Sequence, residues 1–155
     1  SYASLSQADE TLKYAELVKN FEKSSEEDKL KANLFAAKAY LLKNDSASAF
    51  PNFKEVSEKT KTILAAEARY QMAAIQFQQG EYKAAQQTAF DLIKNLPSFD
   101  YWVAKSFLLL ADTYLALKDE FQAKSTLQSL LDNYTGNDEI IPAAKEKLEA
   151  LNKKN

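Results

Sequence analysis

The stretch ARYQMAAIQFQQGEYKAA (residues 68–85) decides the fold, because it holds both halves of a helical hairpin and the turn between them. Met72, Ala73 and Phe77 recur at helical spacing, Gly80 interrupts, and Ala85, Ala89 and Leu92 resume the pattern. Gly80 suits a left-handed helix end, since glycine has no Cβ to clash there. Ala73 and Ala85 are 12 residues apart, and the same pair recurs as Ala37/Ala49 and Ala111/Ala123, with first members separated by 36 and then 38 residues. A small residue at such a place lets two helix backbones approach until the ridges of one enter the grooves of the other. Three copies of one hairpin are therefore expected.

Working outward, each pair sits among apolar residues at helical spacing: Ala36, Tyr40, Phe53 and Val56 around the first, Leu110, Tyr114, Leu127 and Leu130 around the third. Asn44–Asp45 and Lys118–Asp119 break these segments as Gly80 breaks the second. Ser25 with Asp28 has the spacing of a capping box, Asp45 or Ser46 suits the next N-cap, and Ser98, after Asn95-Leu96-Pro97, suits another. Pro51 is expected in the opening turn of its helix, where the missing N–H has no partner to lose. Residues 7–22 (Leu12, Ala15, Val18, Phe21) repeat the spacing of a second helix without its first, since Val18 precedes Ala37 by the 19 residues that separate Leu92 from Ala111. Ile141, Ala144, Leu148 and Leu151 form one stripe on a Lys/Glu-rich helix of the kind that ends a solenoid. The expectation is one domain, 1–155, with a half repeat at 7–22, hairpins at 28–58, 60–95 and 98–134, and a capping helix at 138–153.

Composition agrees. Apolar residues make up 46% of 155, enough for a core, while 2 Gly and 3 Pro leave a sheet without its turns. A net charge of -2 without a Lys/Arg cluster offers no field for nucleic acid. The longest apolar run, Phe107 to Ala111, is far below the about 20 residues of a membrane-spanning helix, so no membrane insertion is expected. Without Cys there is no disulfide framework, which suits a reducing cytosol and many exported bacterial proteins alike. Without His the commonest general base and most catalytic zinc sites are missing. Glu26, Glu27 and Asp28 read as a solvated first turn that complements the helix dipole. No Gly-rich phosphate loop or calcium-loop spacing occurs, and no cofactor or metal is expected.

The register of small residues, with Tyr40, Gly80, Tyr82 and Ala85 in place, and LADTYLALKD (110–119) as a second match, resembles the tetratricopeptide (TPR) family, in particular its larger bacterial, often exported members. The resemblance covers roughly residues 28–134; spacings of 36 and 38 exceed the 34-residue consensus, and Gln76 holds an aromatic site, with Phe77 beside it. It implies an all-α, right-handed α-solenoid whose first helices line a concave face. It slightly favours the cell envelope or periplasm. Carried over residue by residue, the groove positions are Leu34, Lys38 and Leu41; Tyr70, Ala74 and Phe77; and Leu108, Asp112 and Leu115. The positions of the terminal-carboxylate clamp hold Leu34, Lys38, Gln71, Lys105 and Leu109, an incomplete set.

The implied function is a non-catalytic scaffold that binds a peptide or helix of another protein, with Tyr70 and Phe77 as anchors. The other reading is a structural segment in which these side chains pack against each other, the cap or further repeats of a longer chain, with self-association left open. Trp102 divides in the same way, between partner anchor and internal packing. A start at Ser1 rather than Met suggests a piece of a longer protein. An enzyme would need buried convergent carboxylates, which the helical phase does not place.

Overall fold

Residues 1–154 are described by a computed structural model, and all their regular structure is helical: α1 (Tyr2–Asn20), α2 (Glu26–Leu42), α3 (Ser46–Lys59), α4 (Ile63–Gln78), α5 (Tyr82–Asn95), α6 (Asp100–Ala116), α7 (Glu120–Asn133) and α8 (Ile140–Asn152). The chain divides into two compact units, Ser1–Met72 and Ala73–Asn155, with the division inside α4. Among the described residues, no helix is long and apolar enough to cross a membrane.

Local chemistry sets the helix ends. Ser25 and Asp28 form a reciprocal capping box: the Asp28 N–H donates to the Ser25 hydroxyl at 3.0 Å, and the Ser25 N–H donates to the Asp28 carboxylate at 3.3 Å. The Ser25 hydroxyl also donates to that carboxylate and holds it below the usual carboxylate range. Asp45 and Asp119 cap α3 and α7 by accepting from the N–H groups of Ser48 and Gln122. Ser98 does not cap α6. The helix begins one residue later than expected, so Phe99 holds the cap position and contributes no side-chain bond.

Three turns share one geometry. The N–H groups of Asp45, Glu81 and Asp119 reach back to the carbonyls of Tyr40, Gln76 and Tyr114 at 2.9, 2.9 and 2.8 Å. One residue earlier, the N–H groups of Asn44, Gly80 and Lys118 donate to Leu41, Phe77 and Leu115, each at 3.0 Å. This double closure requires a left-handed residue at its centre, and Asn44, Gly80 and Lys118 have φ of 59°, 77° and 65°. Lys118 is the unexpected member. As an ordinary L-residue it bears a cost of roughly 1–2 kcal/mol in this conformation, offset by the two bonds that close the turn.

Within the first unit α2 packs on α1 and α3, and Ala37 and Ala49 are completely buried, with Phe53 and Val56 beside them. α4 adds an ion pair, Glu67 with Lys38 of α2, and Arg69 donates to the Ser57 carbonyl of α3. Within the second unit α6 packs on α5, α7 and α8. Ala111, Ala123, Leu127, Ile140, Ala144 and Leu151 form its core.

Pro51 lies inside α3, beyond the opening turn expected for it, because the helix already starts at Ser46. It has no N–H to offer the Ala47 carbonyl. Since Pro51 is exposed, replacing it removes no core contact. Pro51→Ala should raise stability by about 1–3 kcal/mol through the restored helical bond, net of added unfolded-state entropy. Urea denaturation checks this, and an unchanged or lower midpoint would mean that α3 has adapted to the proline.

Candidate functional site

The nine groove positions fall in both units, and their side chains meet different fates. In the first unit Leu34 is only 2% exposed and its side chain belongs to the core. The Lys38 ammonium lies 2.7 Å from the Glu67 carboxylate and 5.8 Å from the Phe35 ring centre, while Leu41 and Tyr70 are partly buried. In the second unit Ala74 is partly buried, and Phe77 meets Tyr82 edge-on with ring centres 5.3 Å apart. Leu108 and Leu115 pack against the α6–α7–α8 core. Between them Asp112 accepts from Lys147 of α8 at 2.8 and 2.9 Å through its two oxygens. The terminal helix thus engages one face of the third hairpin directly. Trp102 is partly buried and lies edge-on to Tyr101.

A cleft of the first unit lies elsewhere, between α1 and α2, with a volume of about 1020 Å³. Its floor is Ala15 and Ala32, which with Ala36 form a small buried cluster. Tyr14, Phe21 and Phe35 stand at its edges and are 70, 58 and 53% exposed. Lys31 of α2 also lines it, with its ammonium 3.1 Å from Glu27 one turn earlier on the same helix. Phe21 therefore departs from the buried stripe expected for 7–22: it follows the last turn of α1, with an extended backbone that turns it out. That Tyr14 and Phe35, on two different helices, line one cleft had no sequence signal. Exposed Tyr14 and Leu17 lie outside the Leu12–Ala15–Val18 stripe, and that excess of apolar residues on α1 is the clue available without a structure.

A smaller cleft of about 590 Å³ in the second unit is closed by the link between α7 and α8. Tyr134 donates to Asp138 at 2.5 Å, Asp138 also accepts from the Ile140 N–H, and Tyr101 donates to Glu139. The Tyr101 hydroxyl holds the Glu139 carboxyl below its ordinary range. A Cβ at Gly136 would fall on the Tyr134 ring, so this link accepts no side chain there without moving the tyrosine.

Two outcomes follow from these contacts. A double-mutant cycle on Asp112→Asn and Lys147→Met should give a coupling of about 0.5–1 kcal/mol, as expected for a pair that is about one-third exposed; additive effects would mean that α8 is held by its apolar stripe alone. The Asp138 hydrogen bond, followed by burial, pushes the Tyr134 phenol up to about 12 from 10.0. Folding favours the neutral phenol, so its contribution is complete below pH 10 and lost as pH rises from 10 through about 12. Tyr134→Phe should flatten the alkaline decline of stability over that window, and an identical decline in both proteins would show that the bond contributes nothing.

Compared with family models, curated proteins and solved structures, the chain gives no match.

Proposed function

We propose that this chain is a non-catalytic protein-binding scaffold, an α-solenoid of TPR-like hairpins that receives a peptide or helix of another protein. The observation that carries the reading is the repeated turn: the double closure at Tyr40–Asp45 recurs at Gln76–Glu81 and Tyr114–Asp119, in the same 36- and 38-residue steps as the alanine pairs. Packing within each unit adds support. A first helix lies on its own second helix and touches the helix after it, α2 against α3 and α4, α6 against α7 and α8. Chains built this way present side chains from successive first helices to one side, a surface suited to helices and extended segments.

A second reading, a structural segment that packs within a longer assembly or with copies of itself, is favoured by one observation: Asp112 is held by Lys147, and Leu108 and Leu115 pack beside α8. Leu41 and Phe77 separate the two readings. Leu41→Glu and Phe77→Glu, made singly in the full chain, should each weaken a captured protein at least about tenfold. Phe121→Glu, at a 77% exposed position on α7, should leave capture unchanged. Circular dichroism checks that each variant is folded. A wild-type dimer that Leu41→Glu or Phe77→Glu dissociates, with nothing captured, would replace the scaffold with self-assembly.

A further inference from the structure

We infer that the cleft of the second unit, between α6, α7 and the link to α8, is a docking site for a lysine side chain of a partner polypeptide, with Asp100 receiving the ammonium. The inference deepens the protein-binding reading and rests on it, but it concerns a different surface from Leu41 and Phe77.

The first hairpin shows what the third one lacks. Ala111 and Ala123 follow Ala37 and Ala49 by 74 residues, so Asp100 stands where the first hairpin has Glu26, Val103 where it has Lys29, Ser129 where it has Glu55, and Asn133 where it has Lys59. In the first hairpin both lysines are engaged. The Lys29 ammonium lies 3.5 Å from the Glu26 carboxylate, and Lys59 donates at 2.6 Å to Glu55, which also accepts from Asn33 at 3.0 Å. Four balanced charges thus become a single negative one in the third hairpin, and both ammonium groups are gone. The Asp100 side chain accordingly has no hydrogen-bond or ion-pair partner among the described residues, and it lines the cleft.

The walls select the stem that carries the charge. Phe107 stands where the first hairpin has Asn33, and with Val103, Ala104 and Leu130 it gives the cleft an apolar side. A bare inorganic cation would leave that side uncovered, whereas lysine lays its four-carbon stem along apolar surface and keeps its charge at the rim. Both corresponding positions hold lysine in the first hairpin, so an ammonium is the group this arrangement fits. Tyr101 and Tyr134 complete the site. An ammonium already lies near one of them, with the Lys105 Nζ 5.8 Å from the Tyr101 ring centre, a distance at which the ring attracts a cation. Lys105 also interacts with Glu139 and does not line the cleft. The negative charges of Asp138, Glu139 and Asp100 converge on the Tyr134 phenol. Asp138 and Glu139 are engaged by the hydroxyls of Tyr134 and Tyr101, which leaves Asp100 to meet an incoming charge.

The probe is Nα-acetyl-lysine N-methylamide, titrated into the isotope-labelled full chain and read by the amide NMR shifts of Ala104, Thr135 and Gly136. Saturable shifts with a dissociation constant below about 10 mM are expected, and the norleucine counterpart, which has the stem without the charge, should bind at least about tenfold more weakly. Asp100→Asn should weaken the lysine probe about threefold or more. Val103→Lys, which restores the arrangement of Lys29 with Glu26, should compete from within the chain and weaken the probe by a similar factor. Circular dichroism checks that both variants remain helical. Absence of saturable shifts up to about 50 mM, equal binding of the norleucine probe, or binding that ignores both substitutions overturns the inference. So does n-butylammonium binding as tightly as the lysine probe, because the cleft then takes a free amine rather than a residue of a polypeptide. If the lysine probe fails while capture still depends on Leu41 or Phe77, the docking site falls and the scaffold reading stands; if the probe fails and nothing is captured, both fall.

Discussion

Close approach of helix backbones is the constraint on which the rest of this molecule depends. Two helices joined by a short link bury their facing stripes only if something small lies where they cross, and here Ala37 with Ala49, Ala73 with Ala85 and Ala111 with Ala123 are all completely buried. A larger side chain at any of these places would hold two helices apart along their length, with a loss felt at every neighbouring contact. Reversal of the chain has to fit the same geometry. The left-handed residue at each turn satisfies the last helical carbonyls within two residues, so that the next helix starts already aligned with the stripe it must cover.

Much of this was legible because both demands leave local marks. Alanines in register and Gly80 or Asn44 after a helix are residue-type signals, readable without knowing what they touch. Signals failed where the determining partner is distant or where two local preferences compete. Lys118 adopts a conformation that lysine does not seek, because the closure of α6 onto α7 outweighs one residue's preference. Pro51 sits in mid-helix because its exposed side of α3 tolerates a missing bond. Asp112 and Lys147 are 35 residues apart, and no periodicity announces that such a pair will meet.

The candidate surfaces were less legible than the fold for the same reason. A helical stripe says which residues share a face, but not whether that face meets core, solvent or a neighbouring helix. Leu34 and Leu41 lie on one face of α2, yet Leu34 is in the core and Leu41 is only partly buried. Phe35, next to Leu34 in the chain, projects from another side into the α1–α2 cleft, where its exposure depends on α1. The packing of α2 on α1 creates such a site, and a single stripe does not encode which helices pack together.

The contrast between α1 and α8 shows the consequence. An internal helix finds partners on both sides from its own chain, and its stripe is then satisfied by construction. α8 turns Ile140, Ala144 and Leu151 inward and leaves Lys145, Glu146 and Glu149 exposed, whereas α1 leaves Tyr14 and Leu17 exposed, with Phe21 exposed just beyond its last turn. Burying a large apolar side chain is worth about 1.5–3 kcal/mol, so several left uncovered on one helix amount to a substantial driving force for association.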